Sequence, residues 1–195
     1  MKVKRISLST KRLVLASLLT AIIVVIQVLA VLTRAFLPLF SLNLVLIPIV
    51  IGAATGGIGV GAWLGFVSGV AVLLSGDADP FLAVSIGGTL ATVLLKGLAS
   101  GLVAAIVYKL LENKNKYLAV ICAALACPIA NTGVFLLGSF IFFMDTLKSW
   151  AVSTEYPNVF AYIFLGMIGI NFIIEVVINI VLSPTIVRIL DIKKK

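Results

Sequence analysis

Residues 13–33 read LVLASLLTAIIVVIQVLAVLT. The run holds no Asp, Glu, Lys or Arg and is as long as the ~20 residues a helix needs to cross ~30 Å of hydrocarbon. It is continuously apolar, whereas a barrel strand would alternate apolar and polar positions over ~10 residues. A helix satisfies its own backbone donors and acceptors, which lipid cannot do. Lys11 and Arg12 precede it. A basic start and an apolar run also describe a signal peptide, but this run is long and lacks a clean small-residue cleavage site, so a mature helix is expected.

The rest of the chain has the same character. Of 195 residues, 62% are hydrophobic and 11% charged, against roughly 25% charged in a soluble domain. A soluble fold of this length could not hide so much apolar surface. The expectation is an all-α integral membrane bundle of about six transmembrane helices in a single domain, 1–195. It divides into a basic N-terminal segment (1–12), the bundle (13–190) and a basic tail (191–195).

After helix 1, residues 34–43 (RAFLPLFSLN) form a loop. Helix 2 covers about 44–54 and contains Pro48; Thr55, Gly56 and Gly57 turn the chain, and helix 3 continues to about Ser75. Neither alone supplies a straight span. An acidic turn with Asp77, Asp79 and Pro80 leads to helix 4, from 81 or 83 to 108, and residues 109–116 (KLLENKNK) form a solvated loop. Helix 5 covers 117–140, a loop carries Asp145, Lys148, Trp150, Glu155 and Tyr156, and helix 6 runs from 160 to 190 with Pro184 near its end. Trp150 and Tyr156 fall where an aromatic interfacial belt is expected.

A net charge of +8 would suggest nucleic acid as the partner of a soluble chain. Here the distribution matters more. Twelve of the fifteen basic residues fall in three clusters: Lys2, Lys4, Arg5, Lys11 and Arg12; Lys109, Lys114 and Lys116; Arg188 and Lys193 to Lys195. Arg34 and Lys148 lie on the opposite side of a six-helix threading, and Lys96 lies within a helix. The positive-inside rule then puts both termini and the 109–116 loop in the cytoplasm. No nucleic-acid partner is expected.

Gly57, Gly61, Gly65 and Gly69 recur every four residues on helix 3, which lets a neighbouring backbone approach closely. The string GGIGVG lacks the strand, the βαβ setting and the later acidic residue of a dinucleotide loop. Polar residues inside spans are costly and mark binding sites or pathways. Thr89, Thr92, Lys96 and Ser100 make one stripe on helix 4; Asn171, Glu175, Asn179 and Ser183 make another on helix 6; helix 5 adds Asn131 and Thr132. Lys96 and Glu175 fall at comparable depth, roughly 18–20 Å along their helices at ~1.5 Å per residue. One reading has them pair as a clamp. The other has helices 4 to 6 line a ligand site, because a clamp leaves the remaining amides and hydroxyls unexplained.

The chain has no histidine, which excludes a histidine-dependent triad. Cys122 and Cys127 lie on an apolar helix and read as packed residues. No G-x-x-x-x-G-K-[ST] sequence occurs, so ATP hydrolysis by that route would need another subunit. No enzyme activity, cofactor or metal is expected.

In its length, its six helices, the K-R-L-V-L-A-S-L-L-T-A start and the stretches LNLVLIPIVIGA, VLLSGDADPF, TVLLKG and CPIANTGVFLLG, the chain resembles the substrate-binding S components of energy-coupling factor (ECF) vitamin transporters. The resemblance implies a subunit that captures a vitamin-sized molecule from outside. It further implies association with a transmembrane scaffold subunit and two cytoplasmic ATPases, and tilting to deliver the cargo. It places the site toward the outer side, at the 34–43 loop, Asp77, Asp79, Lys96, Asn131, Asn171 and Glu175. It also implies scaffold docking through small residues of helix 1. Here Ala16-xxx-Thr20 and Ser17-xxx-Ala21 take the place of the family's alanine pair, and internal packing is the other reading of those four residues. Overall resemblance favours pantothenate, with the lysine as partner of its carboxylate, and leaves folate, cobalamin, riboflavin and other small metabolites open. The alternative is a stand-alone proton-coupled secondary transporter or channel in which Glu175 titrates.

Overall fold

The computed structural model describes residues 8–194 apart from 35–43. The expected loop at 34–43, except Arg34, which is instead the last residue of the first helix, lies outside the described residues, as do most of the N-terminal basic segment and Lys195. The described residues form helices and turns, with no strand among them. In order these are α1 (Leu8–Arg34), α2 (Leu46–Gly56), α3 (Ile58–Leu74), α4 (Asp79–Leu82), α5 (Ile86–Leu111), α6 (Lys116–Phe142), α7 (Met144–Ser153), α8 (Val159–Ala161), a π-helical stretch (Tyr162–Gly169) and α9 (Ile170–Lys194).

Four stretches are long and apolar enough to cross a membrane: Thr10–Leu32, Ile86–Leu111, Lys116–Phe142 and Val159–Asp191. The helices α2 and α3, of 11 and 17 residues, are the two shorter apolar ones. Gly57, at φ 84°, separates them. An L side chain is strained in that conformation, so glycine sits at the turn.

Several boundaries differ from expectation, each for a local reason. The expected helix 4 is split into one turn, α4, and the longer α5, because Ser85 is extended and its Oγ accepts from Gly88 N at 3.2 Å as the cap of a new helix. Asn115 caps α6 in the same way, Oδ1 accepting from Leu118 N at 3.1 Å. The loop expected between helices 5 and 6 contains α7, whose Leu147 and Ala151 are buried. The last helix carries the π-helical stretch and continues past Pro184.

The tightest packing is between α3 and α5. A Cβ on Gly61 would come 2.6 Å from the Gly101 carbonyl oxygen, and one on Gly69 2.9 Å from that of Val93. A Cβ on Gly65 would overlap the Gly97 carbonyl, and one on Gly97 or Gly101 would overlap a carbonyl of α3. Three of the four spaced glycines thus allow backbone contact. Gly57 does not take part; a Cβ there would meet nothing within 4 Å.

A core of Ile49, Ala53, Leu64, Ala104, Ala123, Cys127 and Ile186 fills one half of the bundle. The other half holds a smaller cluster around Phe143, Leu147 and Ile163. α1 is peripheral: Leu19, Ile23 and Gln27 face inward, while Leu13, Val14, Leu18, Val25 and Leu29 are more than half exposed. Around a span, such residues are the surface that lipid covers.

Candidate functional site

Between the two apolar clusters lies a cavity of about 420 Å³, within the size range of small-metabolite sites. Every long span and the α3–α4 turn contribute to its wall. α1 supplies Gln27, the turn Asp77, α4 Phe81, α5 Lys96, α6 Asn131 and Phe135, and the last helix Asn171 and Glu175. Lys96 lies about 15 Å along α5 from Ile86, at ~1.5 Å per residue. The cavity is thus sunk into the bundle from the end that carries Asp77.

Five of the six residues singled out for substrate line this one cavity: Asp77, Lys96, Asn131, Asn171 and Glu175. Asp79 does not. It is exposed in the first turn of α4, with its carboxylate against Gly76. Two carboxylates two residues apart on a tight turn point in different directions, so one faces inward.

Lys96 and Glu175 are half-buried because the cavity leaves part of each side chain uncovered. Their charges are near enough to act on one another. No ion-pair contact joins them among the described residues; the pairs formed there are Lys116 with Asp191 and Lys148 with Asp145. Lys96 Nζ instead lies 5.1 Å from the centroid of the Phe135 ring, within cation–π range.

The two polar stripes line the cavity only in part. Thr89 and Ser100 are buried and donate to their own helix, to Ser85 O and Gly97 O, each at 2.7 Å. On α9, Asn179 Nδ2 donates to Glu175 O at 2.8 Å and Ser183 Oγ to Asn179 O at 2.9 Å. Beyond Lys96 and Glu175 the hydroxyls and the Asn179 Nδ2 bond locally, while Asn179 Oδ1 is buried without a hydrogen-bond partner among the described residues, and the cavity lining stops.

Sequence reasoning missed two groups. Gln27 is 6% exposed and donates through Nε2 to Asp77 Oδ2 at 2.7 Å and to Ser75 Oγ at 3.0 Å. A lone amide in an otherwise apolar span was the available signal. Phe81 closes the aromatic side, packing edge-on to Phe143 at 5.0 Å, Trp150 at 5.4 Å and Phe135 at 5.8 Å between ring centroids. Trp150 therefore packs on the aromatic group beside the cavity.

The four α1 residues considered for docking fall into two sets. Ala16 and Thr20 are half-buried, and Thr20 Oγ1 accepts from Trp63 Nε1 at 3.1 Å. Ser17 and Ala21 are exposed, with Ser17 Oγ donating to Leu13 O at 2.9 Å.

A helical bundle with long apolar spans around a charged and amide-lined cavity defines a membrane-embedded binding protein. A family model described as ECF transporter, substrate-specific component, matches residues 11–187, and the chain belongs to that family. No curated protein and no solved structure matches it. It is accordingly a multi-pass membrane protein that acts as the substrate-specific binding subunit of an ECF transporter, not as an enzyme, and such subunits work with scaffold and ATPase modules.

Proposed function

We propose that this chain captures a vitamin from the outer side of the cell membrane, and that the vitamin is pantothenate. The observation that supports this most directly is the composition of one cavity wall. One cation, two carboxylates and three carboxamides converge there with three phenylalanines: Lys96; Asp77 and Glu175; Gln27, Asn131 and Asn171; Phe81, Phe135 and Phe172. Lys96 would hold the ligand's carboxylate, and Asn131 and Asn171 its amide and hydroxyl groups. Asp79 would act at the mouth.

In this reading the chain crosses the membrane six times, α2 and α3 being the short or tilted pair. Lys11, Arg12, Lys109, Lys114, Lys116 and Arg188 lie toward the cytoplasm. The bonding of Lys116 to Asp191 brings the start of α6 beside the end of α9, as that threading requires. Ser17 and Ala21 form the small, outward strip on which a scaffold subunit packs, and two cytoplasmic ATPases drive release. The test is native mass spectrometry of the gently solubilised protein from its own membranes. A retained pantothenate mass, with scaffold and ATPase subunits co-purifying, is expected; a different ligand mass reassigns the cargo, and a protein carrying neither ligand nor partners counts against the reading.

A further inference from the structure

A second and larger cavity, about 950 Å³, opens at the other end of the bundle between α1, the α2–α3 turn and the end of α5. Its apolar wall is Leu13, Ala16, Ala53, Val60 and Trp63; its polar rim is Arg12, Lys109 and Glu112. The rim therefore holds two exposed cations against one carboxylate. Where α3 begins, the N–H groups of Ile58, Gly59 and Val60 precede the first intrahelical bond, that of Gly61 N to Gly57 O at 3.0 Å. A Cβ on Gly59 would meet nothing within 4 Å, so the space before this helix start is open. Tyr108 also lines the groove; it is 7% exposed, and its hydroxyl has no hydrogen-bond partner among the described residues.

These features describe one kind of ligand. Free backbone N–H groups at a helix start and two flanking cations suit a phosphate, and the Tyr108 hydroxyl on the groove wall supplies another donor. The apolar wall alongside suits an acyl chain, and a half-exposed Trp63 is the residue type found at the level of lipid headgroups. We propose that this groove binds one anionic phospholipid, its phosphate between Arg12, Lys109 and the start of α3 and one acyl chain along α1 and Trp63. The site is separate from the substrate cavity and shares no lining residue with it.

The test is native mass spectrometry of the delipidated full-length protein, titrated with phosphatidylglycerol or phosphatidylcholine of equal chain length. One phosphatidylglycerol should be retained several-fold better than phosphatidylcholine. Replacing Arg12→Gln or Lys109→Gln should lower that preference about 5-fold for each cation removed. Gly59→Leu, which fills the space and leaves both cations, should lower occupancy by either lipid while pantothenate binding stays as in the wild type. Equal retention of the two lipids, or an unchanged preference in the charge variants, would overturn the proposal. Ser17, assigned above to the scaffold-docking strip, also lines this groove, so a groove that serves the scaffold alone should show in the isolated protein as equal retention of the two lipids. Failure of pantothenate to bind leaves this test unaffected, since the lipid readout does not involve that cavity.

Discussion

Gln27 Nε2 donates to Asp77 Oδ2 at 2.7 Å, joining residues fifty positions apart across the wall of the cavity lined by Lys96 and Glu175. The bond ties the otherwise peripheral α1 to the turn between α3 and α4. A buried carboxamide with a charged acceptor is worth roughly 1.5–3 kcal/mol. Gln27→Leu removes the donor and leaves the apolar volume. It is expected to weaken ligand binding about tenfold, with little change in the yield of membrane-inserted protein; titration calorimetry of the purified variant measures it. Unaltered affinity would remove Gln27 from the account.

Asn131 and Asn171 face the cavity from different helices. Truncating either to alanine should cost about 1–2 kcal/mol of binding, the range for one or two neutral hydrogen bonds, so affinity falls roughly 5- to 30-fold. Size-exclusion profiles of both variants should match the wild type. Wild-type affinity in both would place the ligand elsewhere.

Lys96 provides the contrast between a clamp and a ligand-binding group. If it mainly paired with Glu175, breaking the pair by Lys96→Met would leave a buried charge and destabilise strongly, and adding Glu175→Leu would restore stability. Because no ion-pair contact joins them among the described residues, Lys96→Met is expected to lose carboxylate-ligand affinity by about 10- to 100-fold. The double variant is not expected to recover binding. Thermal unfolding and ligand titration of the single and double variants separate the two outcomes.

The α3–α5 contact predicts opposite effects for two glycines on one helix. Gly65→Ala pushes a methyl onto the Gly97 carbonyl and should destabilise by about 1–3 kcal/mol, as overpacking does. Gly59→Ala meets nothing within 4 Å and should leave the melting temperature unchanged or slightly raised. Equal effects of the two substitutions would contradict the packing described.

Much of the cavity was legible because a polar side chain in an apolar span stands out against its neighbours: Lys96, Asn131, Asn171 and Glu175 all do. Gln27 stood out less, being uncharged and alone in a run whose length already explained it as a membrane anchor. Phe81 and Phe135 could not be told from aromatic residues that face lipid, since both environments favour the same side chains. The π-helical segment reads YIFLGMIG, too uniformly apolar to reveal a change of helical register. The stripe periodicity overreached at Thr89, Ser100 and Ser183 for a related reason. Spacing gives the helix face, and only the structure shows that these hydroxyls donate to their own backbone.

The fold boundaries follow the same division. Gly57 and the Asn115 cap punctuate the chain where turn chemistry is local. The hidden helix α7 has only two buried residues, Leu147 and Ala151. Its sequence MDTLKSWAVS is polar enough to read as a loop until the aromatic cluster around Phe81 covers it.

The most direct test of the central claim is a binding isotherm for pantothenate on the purified chain alone, without scaffold or ATPases, run beside the Asn131→Ala and Lys96→Met variants. The account predicts saturable binding of one molecule per chain, independent of any proton gradient and weakened in both variants. No pantothenate binding by the isolated chain, together with proton-driven uptake when it is placed alone in liposomes, would contradict it.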